Sequence, residues 1–242
     1  MKKFLSSGGL GDAWICFLKI IHASNGERVV WDHMTGHQIH VDPITELMTV
    51  MPDIQEAKCH KIDKKSRPDK EKFLMTEGTI RLNTKAGEIE SPTPDLPVIN
   101  NIYEKEDYVV VQPGAGRPND NSFRYFMPYA VDSFIELFKS KNKGIVLLGA
   151  EYKTQNEDCF NLTNKSSIKT SLQIIRGSKF FIGFDGFLAY AAMSMKIPSI
   201  VIFHDPILPD HYMNKAWEKL TTWTVGPQRI SDISNMKDHI KC

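Results

Sequence analysis

The sequence predicts an α/β protein built on parallel sheets, and three observations carry that prediction. Strands and helices alternate through its second half. Each strand there ends in a glycine turn. The stretch from Lys179 to Phe203, KFFIGFDGFLAYAAMSMKIPSIVIF, reads as strand, tight turn, helix and strand. Alternating strand–helix order implies parallel strands joined by right-handed crossovers.

In chain order, Phe4-Leu5 is a short first strand that runs into Ser6-Ser7-Gly8-Gly9-Leu10-Gly11-Asp12. A helix follows over about 13–23, with Trp14, Phe17, Leu18 and Ile21 at helical spacing. Asn25-Gly26 stops it, and Arg28–Trp31 is the second strand. Asp42-Pro43 starts a helix carrying Ile44, Leu47 and Met48 that ends near Met51-Pro52. His33, His37 and His40 have helical spacing, but Gly36 argues against a helix there. They read, with His60, as solvated or hydrogen-bonded loop histidines rather than as metal ligands. From Lys58 to Lys72 the chain is basic and poor in apolar residues. It reads as a solvated loop or edge, with a surface for an anionic acceptor as the sharper alternative.

Ser91-Pro92-Thr93-Pro94-Asp95-Leu96-Pro97 has three prolines in seven residues and is the best linker candidate. It divides the chain into expected domains 1–97 and 98–242. The second domain opens with the strand Tyr108–Val111 and the turn Gln112-Pro113-Gly114-Ala115-Gly116. A polar loop, Arg117–Phe126, leads to a helix over 129–140. The strand Ile145–Leu148 ends at Gly149-Ala150-Glu151, and a helix around 171–175 is capped by Thr170 or Ser171. The strand Phe180–Ile182 ends at Gly183, an apolar helix runs from Leu188 to Met195, and Ser199–Phe203 is the last strand of the stretch. A helix apolar on nearly every side is a buried one, and Ile200-Val201-Ile202 suits a strand covered on both faces. Trp217 and Trp223 are expected to pack a C-terminal helix.

Composition narrows the classes. With 41% hydrophobic and 24% charged residues the chain is globular. No apolar run reaches the ~18 residues that cross a bilayer, and the N-terminus lacks the apolar core of a signal peptide. A net charge of +1 makes no global case for nucleic acid. Cys16, Cys59, Cys159 and Cys242 are widely separated and form no metal-ligand pair, so they read as reduced thiols of a cytoplasmic protein.

Three glycine turns follow strands: Gly8-Gly9-Leu10-Gly11, Gly114-Ala115-Gly116 and Asp185-Gly186. Such turns lie where parallel sheets bind ligands, and the turn that opens a helix offers free N–H groups and roughly half a positive charge to a phosphate. The bland reading is that α/β turns need glycine anyway. Gly9-Leu10-Gly11 resembles the start of a dinucleotide fingerprint, but Trp14 fills the position of its third glycine, which disfavours NAD. Asp12 is either a helix cap or a carboxylate placed to accept a proton from an attacking hydroxyl. Arg117 and Arg124 are either exposed loop arginines or a fork for a diphosphate.

Taken in order, these pieces resemble the family-9 glycosyltransferases, heptosyltransferase-like enzymes of the GT-B fold. The residues that carry the likeness are Gly9-Leu10-Gly11-Asp12 after the first strand, Gln112-Pro113-Gly114-Ala115-Gly116 with Arg124 downstream, and Leu147-Leu148-Gly149-Ala150-Glu151. Ser171-Leu172 follows at a helix start, then Phe184-Asp185-Gly186-Phe187-Leu188-Ala189-Tyr190-Ala191-Ala192 before Lys196-Ile197-Pro198. In the family pattern an aspartate-serine pair stands where this chain has Phe184-Asp185, a histidine where it has Ala189, and usually a histidine at Gln112. The resemblance implies two Rossmann-like parallel-sheet domains facing a cleft, the first one reduced. It implies an inverting, metal-independent transfer of a sugar from a nucleotide-diphosphate sugar to an acceptor hydroxyl. Asp12 would be the base. Gly9, Gly11, Gly114, Ala115, Gly116, Arg124, Gly149, Glu151, Asp185, Gly186 and Phe187 would bind the substrates, with no cofactor. No D-x-D pattern lies near the implied cleft. The acceptor would be a glycan or, alternatively, a modified nucleic acid. The altered aspartate-serine and histidine positions keep open a non-catalytic nucleotide-sugar binder, and a GT-B nucleotide-sugar epimerase or hydrolase is a further alternative.

Overall fold

The structure, a computed structural model, describes residues 1–50, 54–89, 107–116, 123–227 and 229–240. The chain divides into two compact units, Met1–Val98 and Ile99–Cys242. The linker read at 91–97, Arg117, Met51-Pro52 and Cys242 lie outside the described residues.

The first unit runs β1 (Lys2–Ser7), α1 (Leu10–Ser24), β2 (Val29–Thr35), α2 (Val41–Thr49), β3 (Ile54–Lys61), α3 (Arg67–Leu74) and β4 (Thr79–Arg81). Its four strands are parallel, in the order β3-β2-β1-β4. α1 ends where Asn25 turns left-handed, at φ 50°, followed by Gly26. One sheet face packs on α1, where Phe17 meets Trp31 at 6.5 Å between ring centroids. On the other, Leu74 of α3 joins Leu5 and Met34 in a small core. The basic run splits between the edge strand β3 and α3 with the loop before it. Lys64, Lys65 and Arg67 are exposed.

β2 corrects the sequence reading: it continues past Trp31 to Thr35, and His33 is a fully buried strand residue instead of a loop one. Its polar residues are tolerated because distant partners satisfy them. Asp32 accepts from His60 at 2.7 Å and lies 3.5 Å from Lys3 Nζ, while His33 bonds Ser6.

The second unit runs β5 (Tyr108–Val111), β6 (Gly114–Ala115), β7 (Arg124–Phe126), α4 (Pro128–Lys139), β8 (Gly144–Leu147), β9 (Phe160–Asn161), α5 (Ile168–Gly177), β10 (Phe180–Phe184), α6 (Phe187–Ser194) and β11 (Ser199–Phe203). Then come α7 (Leu208–Tyr212), α8 (Lys215–Glu218), β12 (Thr221–Val225), β13 (Arg229–Ile230) and α9 (Ser234–Lys237). Six parallel strands form its sheet in the order β12-β11-β10-β5-β8-β9. Every residue of β5, β10 and β11 is buried, as strands covered on both faces require. Phe134 and Phe138 of α4 join Val109, Val111, Ile182, Phe184 and Ile202 in the main core. Burying each such side chain is worth about 1.5–3 kcal/mol. All eight residues of α6 are buried, as its apolar composition predicts.

Four further readings change. Gly183 continues β10 instead of ending it, because the side chain of Gln112 packs against it. A Cβ there would lie 2.7 Å from Gln112 Cβ, so only glycine fits. Arg124 sits on a strand, since β7 pairs antiparallel with β6 in a separate three-stranded sheet. Ser167 caps α5, accepting from the Thr170 N–H at 3.1 Å, so the helix starts earlier than a cap at Thr170 or Ser171 allows. Trp217 is buried on α8, but Trp223 belongs to the edge strand β12 and is half exposed, its ring tilted edge-on against Phe203.

Candidate functional site

In each unit the glycine turns fall where the strand order reverses. In the second unit β5, β8 and β9 run outward one way and β10, β11 and β12 the other, so the reversal lies between β5 and β10. Parallel sheets open a crevice at the carboxyl ends of the strands at that point. Gln112, just past β5, donates its N–H to Ile182 O at 2.7 Å and ties the two strands there. Its side chain also packs on Gly149, the residue two past β8, where a Cβ would lie 3.1 Å from Gln112 Cγ. Gln112, Gly114, Gly149 and Gly183 thus form one close-packed floor.

Arg124 reaches this floor from β7, beside Ala115 in the strand register. Its Nη1 donates to the Asp185 carboxylate, and its Nη2 donates to the Asp185 carbonyl at 3.1 Å. Nη1 also lies 2.9 Å from His204 Nδ1. A guanidinium only donates, so Nδ1 accepts in that contact and the ring proton sits on Nε2. Arg124 and Asp185 are buried, whereas the His204 side chain is 41% exposed. Among the described residues, Arg124 Nε and Gln112 Oε1 are buried without a hydrogen-bond partner. Gly186 caps α6 next door, with open space where a Cβ would stand, and Phe187 begins the helix. The group therefore places a guanidinium, paired with the Asp185 carboxylate, beside an imidazole and a helix N-terminus where an anion could bind.

Of the residues expected to bind in this half, the structure gathers Gly114, Ala115, Asp185, Gly186 and Phe187 around Arg124, with Gly149 on the floor. Gly116 is exposed at the end of its turn. Glu151 is exposed and faces Lys153 at 3.9 Å. It bonds neither Arg124 nor Asp185. His204 was absent from the sequence reading, and its one signal is position: it follows the last residue of β11, beside β10.

In the first unit β1, β2 and β3 run one way and β4 the other, placing the reversal at β1. The Gly8-Gly9 turn leaves β1 there, and Asp12 lies in the first turn of α1 with Gly11 before it. Gly9 N–H donates to Asp12 Oδ2 at 2.9 Å, so the residue both caps the helix and presents a carboxylate at the strand end. Gly8, at φ +139°, must be glycine: a Cβ would lie 2.4 Å from Asp12 Oδ2. Beside this turn is a pocket of about 180 Å³ lined by Ser7, Gly8, Gly9, His37, Lys64 and Arg67, among others. Arg67 Nη2 donates to Ser7 Oγ at 2.6 Å. Trp14 is buried against Phe17 with ring centroids 5.0 Å apart, so the position of the fingerprint's third glycine is a packing position.

Burial and the nearby Asp12 charge push the Cys16 thiol up to about 12, and burial pushes Cys59 up to about 11. The three described cysteines are free thiols, and these two are poor nucleophiles. Among the described residues no three His, Cys, Asp or Glu side chains group as a metal site would, and no helix is long and apolar enough to cross a membrane.

No protein-family model matches the chain, and no curated protein matches its sequence. Solved structures do match. Heptosyltransferase WaaC from E. coli, solved with ADP-2-deoxy-2-fluoro heptose, is 10% identical with a TM-score of 0.63, the match covering 100% of this chain and 98% of that one. A family-9 glycosyl transferase from Veillonella parvula is 10% identical with a TM-score of 0.59, covering 93% and 86%. UDP-GlcNAc 2-epimerase from Methanocaldococcus jannaschii is 11% identical with a TM-score of 0.52, covering 100% and 92%. At this identity the likeness is one of fold. The chain has the α/β, GT-B-like fold that its sequence predicts, with Rossmann-like parallel sheets.

Proposed function

We propose that the chain is a glycosyltransferase that moves a sugar from a nucleotide-diphosphate sugar to an acceptor hydroxyl, with inversion and without a metal. One observation carries the reading: Arg124, Asp185 and His204 converge over the β5/β10 reversal beside the start of α6. This is where an anion can be bound by fixed donors, on a fold shared with heptosyltransferases. A leaving diphosphate gathers charge as the sugar–oxygen bond breaks, and preorganised donors stabilise it without reorganising. Arg124, the His204 Nε2–H and the N–H groups around Gly186 and Phe187 are those donors. Gly114, Ala115, Gly116 and Gly149 let the backbone approach, and Glu151 would serve the nucleoside only by moving from Lys153.

On the acceptor side, Asp12 accepts the proton of the attacking hydroxyl. The new bond forms at the sugar's anomeric carbon on the face opposite the departing diphosphate, which leaves with the bonding electron pair. Gly9 and Gly11 shape the loop that presents Asp12. The pocket beside it, with Lys64 and Arg67, favours an acceptor glycan that carries a negative group, and the net charge of +1 gives a nucleic-acid acceptor no support.

The test is donor consumption with and without acceptor. Product that needs an acceptor, survives a chelator and disappears in Asp12→Asn while nucleotide affinity stays within a few-fold supports the proposal. A second reading, a nucleotide-sugar epimerase or hydrolase, draws on the epimerase that shares the fold. It predicts a changed or hydrolysed donor with no acceptor present. Affinity without any product would indicate a non-catalytic binder.

A further inference from the structure

His33 is a fully buried titratable side chain that the proposed transfer does not use. Its hydrogen bonds run in one direction only. Trp31 Nε1 can only donate, so Ser6 Oγ accepts from it at 2.7 Å. The Ser6 hydroxyl proton can then go to His33 Nδ1, also at 2.7 Å, or to the neighbouring Cys16 sulfur, and the other end of the ring selects His33. With Nδ1 accepting, the ring proton is on Nε2, which faces the Gly8 carbonyl at 3.3 Å. A carbonyl only accepts, so the far end of the ring demands the same tautomer. The Gly8 carbonyl and the Gly9 N–H are opposite ends of one planar peptide group. That N–H donates to Asp12 Oδ2 at 2.9 Å. A single chain of donors therefore leads from a core indole to the carboxylate.

We infer that His33 is a positioning residue for Asp12: it holds the Gly8–Gly9 peptide so that its N–H aims at the carboxylate, and Ser6 and Trp31 hold His33. The inference rests on the reading of Asp12 as the base. The loop needs such a hold because both of its residues are glycines, whose backbone rotates freely unless something fixes it. Two backbone bonds fix the neighbouring peptides, Gly8 N–H to Met34 O at 3.0 Å before Gly8 and Ala13 N–H to Gly9 O at 2.9 Å after Gly9. Between them, the carbonyl end of the Gly8–Gly9 peptide is held by His33 and its N–H end meets Asp12. Each bond in such a chain also polarises the next, so the N–H at its end is a stronger donor than an isolated amide. Burial keeps the ring neutral and its tautomer single, pushing His33 down to about 4. A histidine that merely filled the core would stabilise the sheet without acting on the Gly9 amide.

The experiment follows the Gly9 amide resonance of the full chain labelled with ¹⁵N-glycine, alongside transfer kinetics. Asp12→Asn should move the resonance upfield, locating the bond to the carboxylate. His33→Leu should move it comparably, and His33→Gln should restore it, because a carboxamide can accept from Ser6 and donate to Gly8. If His33→Leu does not fold, Ser6→Ala, which frees the ring and also takes the acceptor from the Trp31 indole N–H, should move it in the same direction. A Gly9 resonance that stays in place in a folded His33→Leu or Ser6→Ala variant overturns the inference. In kinetics His33→Leu should lower kcat about 10–100-fold, the range that misplacing a reacting group costs. KM for the nucleotide sugar should stay within twofold, and His33→Gln should recover most of kcat. An unchanged kcat in folded His33→Leu would also overturn it. Should Asp12→Asn retain full transfer, the base reading fails, while the amide result still stands or falls by itself.

Discussion

Lowering the pH from 7.5 to 4.5 is expected to destabilise the first unit by roughly 2–3 kcal/mol through His33 alone. Burial pushes this ring from the ordinary 6.5 down to about 4, against a smaller opposing effect of the Gly8 carbonyl bond. His40 and His60 add further push in the same direction. In the unfolded chain the ring takes up a proton as the pH falls through about 6.5, whereas in the folded chain it stays neutral until about 4. Between these values the unfolded state binds more protons, so stability falls as the pH falls, and above about pH 7 there is no effect. A gap of about 2.5 pH units at ~1.4 kcal/mol each gives roughly 3–4 kcal/mol in full, most of it lost by pH 4.5. No discount for solvent screening is needed, because the ring is fully buried. The assay is amide exchange in β2, corrected for the intrinsic rate at each pH, in the native chain and in His33→Gln. The glutamine cannot titrate, so other groups cancel in the comparison. The native chain should lose roughly 2–3 kcal/mol more than the variant. Equal losses would refute the reasoning that this ring is held neutral by burial.

Three further outcomes follow from the geometry. Gly8→Ala should cost about 1–3 kcal/mol, since the new Cβ collides with Asp12 at a left-handed φ, lowering the thermal midpoint of unfolding by roughly 2–12 °C. Arg124→Ala should cost about 3–5 kcal/mol in denaturant unfolding by leaving Asp185 buried and uncompensated. Adding Asp185→Asn should recover much of that stability without restoring nucleotide affinity, measured by calorimetry.

The central sheet of the second unit was legible in the sequence because its signals are local. Tyr108–Val111, Phe180–Ile182 and Ser199–Phe203 are apolar runs followed or preceded within two residues by glycine or proline, and α6 is apolar throughout. What was not legible depends on partners far along the chain. Asp32 and His33 looked like the end of a strand, and only His60, Lys3 and Ser6 make them strand residues. The polar run before α5 offers several caps, and the fold selects Ser167. Trp223 was expected, with Trp217, to pack a C-terminal helix, although Thr221, Thr222, Thr224 and Val225 around it are a β-branched run suited to a strand. Asp12, Arg124 and Asp185 were found through turns and order. His204 was not, because a histidine after a strand carries no signal until β11 is known to lie beside β10.

The central claim is that the β5/β10 reversal of the second unit binds a nucleotide diphosphate through Arg124. Thermal unfolding of the native chain and of Arg124→Lys against a panel of nucleoside diphosphates and nucleotide sugars tests it most directly. Ligand at a hundred times its dissociation constant adds about 2.7 kcal/mol, which for a chain of this length raises the midpoint by roughly 5–11 °C. The account predicts such a rise with one nucleotide and its loss in the variant, whose point charge cannot replace the fork. No rise with any nucleotide, or an equal rise in the variant, would contradict it.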